Sequence, residues 1–156
     1  MKILAIDCGD QTGWASLSSG VESGSINFKS RYGEGSGMRY SNFRTWLENM
    51  LDKNVCPDLV IYEMAHLRGR AASEILSGYI TRIQEECDRR KINYTFVHSG
   101  TLKKWATEKG NASKAEMVRE AKKRFGIEVK DDNEADALLL LDYAREKNNL
   151  ILIRKT

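Results

Sequence analysis

The chain lacks the features of a disulfide-stabilised or membrane-spanning protein. It has three cysteines, Cys8, Cys56 and Cys87, an odd and widely spaced set that matches no disulfide framework and no zinc-binding spacing. No apolar run reaches membrane-spanning length, and the sequence enters a predicted strand at once, without a basic leader. These absences predict reduced thiols and a cytoplasmic protein with no membrane partner.

The chain also has little excess of either positive or negative charge. The 156 residues include 25 basic and 22 acidic side chains, a net charge of +3. With 41% hydrophobic and 30% charged residues, the composition is typical of a globular protein. The length suits one hydrophobic core and is too short for two lobes, so we expect a single domain over residues 1–156.

The hydrophobic pattern predicts strands first and helices later. Predicted strands cover residues 2–7, 12–19, 22–28, 58–62 and 94–97, and predicted helices cover 38–53, 71–91, 101–107, 113–125 and 132–147. Ser113 with Glu116 predicts a capping box, and the C-terminal run LILIR is either a further strand or a packed tail. The order of elements predicts an α/β fold: a mixed five-stranded sheet with helices on both faces and strand one beside strand four.

Four acidic residues at three distant places are the most informative feature. Asp7 and Glu63 each end a short apolar run, KILAID and DLVIYE, that reads as a buried strand. Because an isolated carboxylate is costly to desolvate, a charge in such a place needs a cation or a hydrogen-bond donor. Asp132 and Asp136 are four residues apart and share one face of a helix. The three segments together predict a divalent-metal site for cutting nucleic acid; for Asp132, a plain helix cap is the open alternative.

Four segments resemble, in order, the motifs of RuvC-type Holliday junction resolvases, which have the ribonuclease H-like fold. ILAIDCGDQTGWA resembles the first motif with its metal-binding Asp, and PDLVIYEMAHLRGRAAS resembles the second with its Glu. TEKGNASKAEMV resembles the lysine segment and DDNEADALLLL the last motif, so the resemblance spans about residues 2 to 143. Two departures are Cys8, where Pro is common, and Glu108, where Gly is common. The chain is similar to the short bacteriophage or bacterial type, which implies a bacterial or phage-infected cytoplasm.

The resemblance implies a set of site residues. Asp7, Glu63 and Asp136 become metal ligands, with Asp132 as the fourth and Asn133 as the alternative. The implied cofactor is a pair of Mg²⁺ ions, with Mn²⁺ able to substitute, and no small-molecule cofactor is expected. Lys114 joins the four acidic residues as a catalytic residue. The implied DNA-binding residues are Arg68, Arg70, Lys103, Lys104, Lys109 and Lys114.

The implied activity is two-metal hydrolysis of phosphodiester bonds in four-way junctions or other branched DNA. The implied assembly is a homodimer, and the apolar stripe of the helix at 71–91 suits either a dimer face or the core. His66 and His98 are expected to have no catalytic role, because metal-dependent hydrolysis needs no histidine base. One alternative is an inactive branched-DNA-binding module. A less favoured one is an actin-like ATPase, because the turn IDCGDQTG also resembles the phosphate-binding turn of that class.

Overall fold

A computed structural model of the chain describes residues 1–53, 56–66 and 69–153, with side chains described as far as residue 147. This part of the chain contains five strands and five helices. In order they are β1 (Ile3–Asp7), β2 (Gln11–Leu17), β3 (Val21–Asn27), α1 (Met38–Lys53), β4 (Leu59–Met64), α2 (Arg70–Arg90), β5 (Asn93–His98), α3 (Ser99–Thr107), α4 (Lys114–Phe125) and α5 (Asp132–Ile153). No helix in the described ranges combines the length and apolarity needed to cross a membrane.

The strands form one mixed sheet in the order β3-β2-β1-β4-β5. β1 pairs antiparallel with β2 and parallel with β4, and β4 pairs parallel with β5. In the two central strands Ile3 lies beside Leu59, and Ile6 lies beside Tyr62. These positions are buried because helices cover both faces of the sheet. The predicted fold class, with β1 beside β4 at the centre of a five-stranded sheet, is confirmed.

Two hydrophobic cores lie on opposite faces of this sheet, since successive strand residues point to opposite sides. On one face, Leu4 of β1 packs with Phe43 of α1 and Tyr79 of α2. On the other face, Ala5 belongs to a core that includes Leu138 of α5. The leucine run of α5 is fully buried because the helix lies directly against the sheet.

The apolar stripe of α2 belongs to the core. Leu76, Tyr79, Ile80 and Ile83 are buried there, and Ile75 is partly buried against them. The interpretation of these side chains as a dimer face is therefore wrong. A dimer would have to use other surfaces of the chain.

The helix ends confirm one local prediction and correct another. The Ser113 hydroxyl accepts a hydrogen bond from the Glu116 N–H, and the Glu116 carboxylate accepts one from the Ser113 N–H, which is the predicted capping box. Glu108 ends α3 with φ 65°, the left-handed conformation that explains why a glycine would suit this position. Of the two alternatives for LILIR, the strand is wrong over the described residues. No glycine or proline interrupts the sequence between Asp132 and Ile153, and α5 continues into this run as far as Ile153.

Candidate active site

The carboxylate-bearing ends of β1 and β4 lie side by side. Because Ile6 pairs with Tyr62 in a parallel register, the next residues along the two strands, Asp7 and Glu63, reach the same edge of the sheet. Both side chains are partly buried. On its other side Asp7 pairs with Gly13 of β2. Two of the predicted site residues thus meet at the centre of the sheet.

Both of these carboxylates point to the face that α5 covers. Ile3 and Ala5 belong to the core beneath α5, and the alternation of side chains along β1 places Asp7 on the same face. Ile61 of β4 belongs to that core as well, which places Glu63 there by the same alternation. The first turns of α5 and the two strand ends therefore share one region.

A glycine allows α5 to reach this edge. A Cβ atom on Gly13 would lie 1.8 Å from the carbonyl oxygen of Asn133 and 2.9 Å from the backbone nitrogen of Glu134. No side chain fits at that distance, so the backbone of α5 rests directly on β2. The first turn of the helix is thereby brought to the strand that pairs with the Asp7 end of β1.

Asp131 fixes the start of α5. Its Oδ1 accepts a hydrogen bond from the Glu134 N–H at 2.9 Å, and its Oδ2 accepts hydrogen bonds from the Ser25 hydroxyl and the Gln11 side-chain amide. Burial acts to raise the pKa of Asp131, but these hydrogen bonds outweigh it and the pKa is lowered. The capping role therefore falls to Asp131, and the alternative in which Asp132 merely caps the helix is wrong.

The carboxylates of Asp7, Glu63, Asp132 and Asp136, here called the acidic cluster, interact strongly. Burial is the largest cause that raises the pKa of Asp7 well above its ordinary value, and repulsion from the other three carboxylates adds to it. Burial, followed by repulsion from Glu63 and Asp132, raises the pKa of Asp136 to about 7. Burial also raises the pKa of Glu63, against a hydrogen bond from Ser99. This repulsion shows that the four carboxylates lie within electrostatic range of one another.

Two lysines stand beside the acidic cluster. Lys114 Nζ lies 2.9 Å from Asp132 Oδ2 and also favours the charged forms of Asp7 and Asp136. The side chain of Lys114 is 83% exposed, so it reaches the cluster from the solvent. Lys103 of α3 opposes the rise in the pKa of Asp136 and of Glu63, so the charge of this predicted DNA-binding residue acts on the carboxylates.

The acidic cluster has the chemistry of a divalent-metal site. Asp136 Oδ1 is buried and has no hydrogen-bond partner among the described residues. An unpaired buried carboxylate oxygen is unfavourable, and carboxylate oxygens are the preferred ligands of Mg²⁺ and Mn²⁺. In the described part of the chain, no three His, Cys, Asp or Glu side chains converge as a preformed ligand set. Two of the four carboxylates are instead engaged by Lys114 and Ser99.

A shallow groove opens between the end of β5, α3 and α5. Aromatic and basic side chains line it, among them His66, His98, Lys104, Trp105 and Tyr143. The two histidine rings stack with centroids 5.3 Å apart and an angle of 6° between the rings, and Trp105 meets Tyr143 edge-on. Because β5 runs parallel to β4, the groove begins at the same edge of the sheet as the acidic cluster.

The remaining predicted DNA-binding residues are dispersed. Arg70 is exposed at the first residue of α2, and Arg68 lies outside the described residues. Lys109 is exposed and pairs with Glu116 at 3.1 Å. The structure therefore brings Lys114 into contact with the acidic cluster and Lys103 within electrostatic range of it, whereas Lys109 pairs with Glu116 instead.

Two residues with clear local roles at this site were not singled out from the sequence. Ser99 donates a hydrogen bond to Glu63, and Asp131 caps α5. The signal for Asp131 is its spacing, since Glu134 follows three residues later, as in other helix starts. The signal for Ser99 is weaker: it is a serine that follows the strand next to the one carrying Glu63.

Comparison with known proteins identifies the fold. No protein-family model matches the sequence, and no curated protein matches it significantly. Among solved structures, T. thermophilus RuvC in complex with a Holliday junction substrate matches with a TM-score of 0.78 and 16% identity, over 94% of this chain and 96% of that chain. A second Thermus thermophilus RuvC structure matches with a TM-score of 0.74 and 15% identity, over the same shares.

The sheet order and the flanking helices define an α/β protein of the ribonuclease H-like class. Within that class, the chain has the fold of RuvC Holliday junction resolvases, so the fold implied by the four sequence motifs is confirmed. At this level of identity the likeness concerns the fold. What the chain does has to be argued from its own site.

Proposed function

We propose that the chain is a metal-dependent, structure-selective endonuclease that hydrolyses phosphodiester bonds in Holliday junctions or other branched DNA. The observation that carries the proposal is that Asp7 and Glu63 follow paired residues of two neighbouring strands, with Asp132 and Asp136 of α5 near enough for their charges to act on Asp7. The fold supports it, since a RuvC structure of matching fold holds a Holliday junction substrate. We also propose that residues 1–156 form one nuclease domain.

The acidic cluster would hold two Mg²⁺ ions, with Mn²⁺ as a substitute. Bound ions of this kind supply an activated water and stabilise the leaving oxygen in phosphodiester hydrolysis. Asp136 offers a buried oxygen without a hydrogen-bond partner among the described residues, and the charged form of Asp7 is repelled by the other three carboxylates of the cluster. Since cation binding requires charged carboxylates, both residues would release protons as the cation binds.

The two neighbouring lysines would act on the DNA phosphate. Lys114 contacts Asp132 through one exposed ion pair, which contributes at most about 1 kcal/mol, so its ammonium group can transfer to a phosphate oxygen at little cost. That transfer would free Asp132 as a ligand. Lys103, whose charge acts on Asp136 and Glu63, would offset negative charge that develops at the reacting phosphate.

The groove beside the acidic cluster offers a path for a DNA strand. Lys104 can neutralise a phosphate, and the exposed rings of His66 and His98 provide faces on which bases stack. Arg68 and Arg70, at the start of α2, would add phosphate contacts. A homodimer would place two such sites on opposed strands, which matches the symmetry of a four-way junction.

The test is cleavage of end-labelled four-way junctions, Y-forks, flaps and linear duplex of matched sequence, with Mg²⁺, Mn²⁺ or EDTA. We expect paired nicks in the branched substrates, lost in EDTA and lost in the Glu63→Gln variant. Glu128→Gln is the matched control, because Glu128 is 94% exposed and pairs only with Lys122 among the described residues. The control should cleave like the wild type.

Other outcomes would favour other functions. Binding of junctions without cleavage under any metal condition would support an inactive branched-DNA-binding module. Tight, Mg²⁺-dependent binding of an ATP analogue, without cleavage, would support the actin-like alternative. Cleavage that survives in Glu63→Gln would contradict the assignment of the acidic cluster as the metal site.

A further inference from the structure

We propose that Ser99 is a positioning residue of the acidic cluster, whose hydroxyl holds the Glu63 carboxylate in the orientation that binds a divalent cation. The inference rests on the proposed function, because it assigns Glu63 as a ligand. Ser99 itself would touch neither the cation nor the DNA.

The fold places Ser99 next to Glu63. β5 runs parallel to β4, with Val97 beside Glu63. α3 begins immediately after β5, with Ser99 as its first residue and no intervening loop. The Ser99 hydroxyl donates a hydrogen bond to Glu63 Oε1. Because this contact joins two neighbouring strand ends, the rigid sheet sets its geometry.

The Ser99 hydroxyl is not used to cap the helix. A serine at a helix start usually occupies the N-cap position, as Ser113 does in α4. In α3 the N-cap is His98, which makes no side-chain capping hydrogen bond, and Ser99 lies one residue inside the helix. Its hydroxyl is therefore directed away from the helix backbone and toward Glu63.

The contact acts on the orientation of the Glu63 carboxylate. The bond occupies Oε1, and no described residue hydrogen-bonds to Oε2, which stays available as a ligand atom. Hydrogen bonds from such supporting residues orient metal ligands, and their loss typically lowers metal affinity about 10-fold to 100-fold.

The test measures cation binding without DNA. Binding of Mn²⁺ to the full chain is followed by electron paramagnetic resonance of free Mn²⁺, for the wild type, Ser99→Ala, Ser99→Thr and Glu63→Gln. Ser73→Ala is the matched control, since Ser73 also lies in the first turn of a helix and its hydroxyl donates to the Gly69 carbonyl. Circular dichroism and thermal melting verify that each variant is folded.

We expect Ser99→Ala to bind Mn²⁺ about 10-fold or more weakly, and Ser99→Thr, which keeps the hydroxyl, to bind within a few-fold of the wild type. Ser73→Ala should bind like the wild type. If Ser99→Ala binds like the wild type while Glu63→Gln does not, the positioning role is refuted and the proposed function stands. If the wild type itself binds no Mn²⁺, the proposed function fails and this inference fails with it.

Discussion

Replacing Asp136 with asparagine should stabilise the protein at alkaline pH when no divalent cation is present. Asp136 Oδ1 is buried with no hydrogen-bond partner among the described residues, and the neighbouring carboxylates repel its charged form. An asparagine keeps the shape of the side chain, removes the charge and adds an amide that can donate to a neighbouring carboxylate. The gain should be specific to the metal-free state.

The size of the effect follows from the pKa of Asp136, which is raised from 3.8 to about 7. At about 1.4 kcal/mol per pH unit, such a difference corresponds to an unfavourable free energy on the order of 4 kcal/mol above pH 7. Because the cluster titrates as a unit and shares its protons, we expect a measured gain of about 1–3 kcal/mol. For a chain of this length, that gain raises the melting temperature by about 2–4 °C per kcal/mol.

The pH dependence has a definite sign. Below pH 3.8 Asp136 is protonated in both states, and the stability of the folded protein is fully present. Between pH 3.8 and about 7 the folded protein keeps a proton that the unfolded chain releases, so stability is progressively lost as the pH rises. The wild type in EDTA should therefore lose stability between about pH 4 and pH 7, and Asp136→Asn should lose less. Adding Mg²⁺ should stabilise the wild type and leave the variant unchanged.

The measurement is thermal or urea unfolding at pH 5 and pH 8, in EDTA and in Mg²⁺. Asp131→Asn is the matched control on the same helix. The pKa of Asp131 is lowered, so its charged form stabilises the fold and its replacement should destabilise the protein at pH 8. If Asp136→Asn destabilises the protein equally at both pH values in EDTA, the carboxylate has a structural role and the reasoning is refuted.

Two other variants test how the acidic cluster is assembled and used. Gly13→Ala should cost about 1–3 kcal/mol or more in unfolding free energy and abolish cleavage, because its Cβ would lie 1.8 Å from the Asn133 carbonyl oxygen. Unfolding and cleavage assays test this. A stable, active variant would contradict the close approach of α5 to β2. Lys114→Ala should change the unfolding free energy by less than about 1 kcal/mol, since its ion pair with Asp132 is exposed, yet slow junction cleavage at least tenfold. Single-turnover cleavage measures the second effect, and an unchanged rate would exclude a role for Lys114 in holding the phosphate.

Local patterns were enough to predict most elements and their order. The apolar runs before Asp7 and Glu63 read as buried strands because they are short and continuous, and both are strands. The capping box at Ser113 was predictable because its two partners are three residues apart. The end of α5 was not, since an apolar run of that length suits a strand as well as a helix.

The contacts that assemble the site were beyond the reach of local patterns. Asp131 is held by Ser25 and Gln11, which lie 106 and 120 positions away along the chain. A serine or glutamine in a strand has many possible partners. The pairing of β2 with β3 and the packing of α5 on both select these particular ones.

The sequence by itself determined which segments form strands and helices and where carboxylate side chains stand along them, because side-chain periods of 2 and 3.6 residues are local properties. It therefore determined that Asp7 and Glu63 end core strands and that Asp132 and Asp136 share a helix face. Only the tertiary structure decided that Ser99 holds Glu63 and that Lys114 holds Asp132. Those contacts depend on strand register and on helix docking, which arise from the packing of the whole chain.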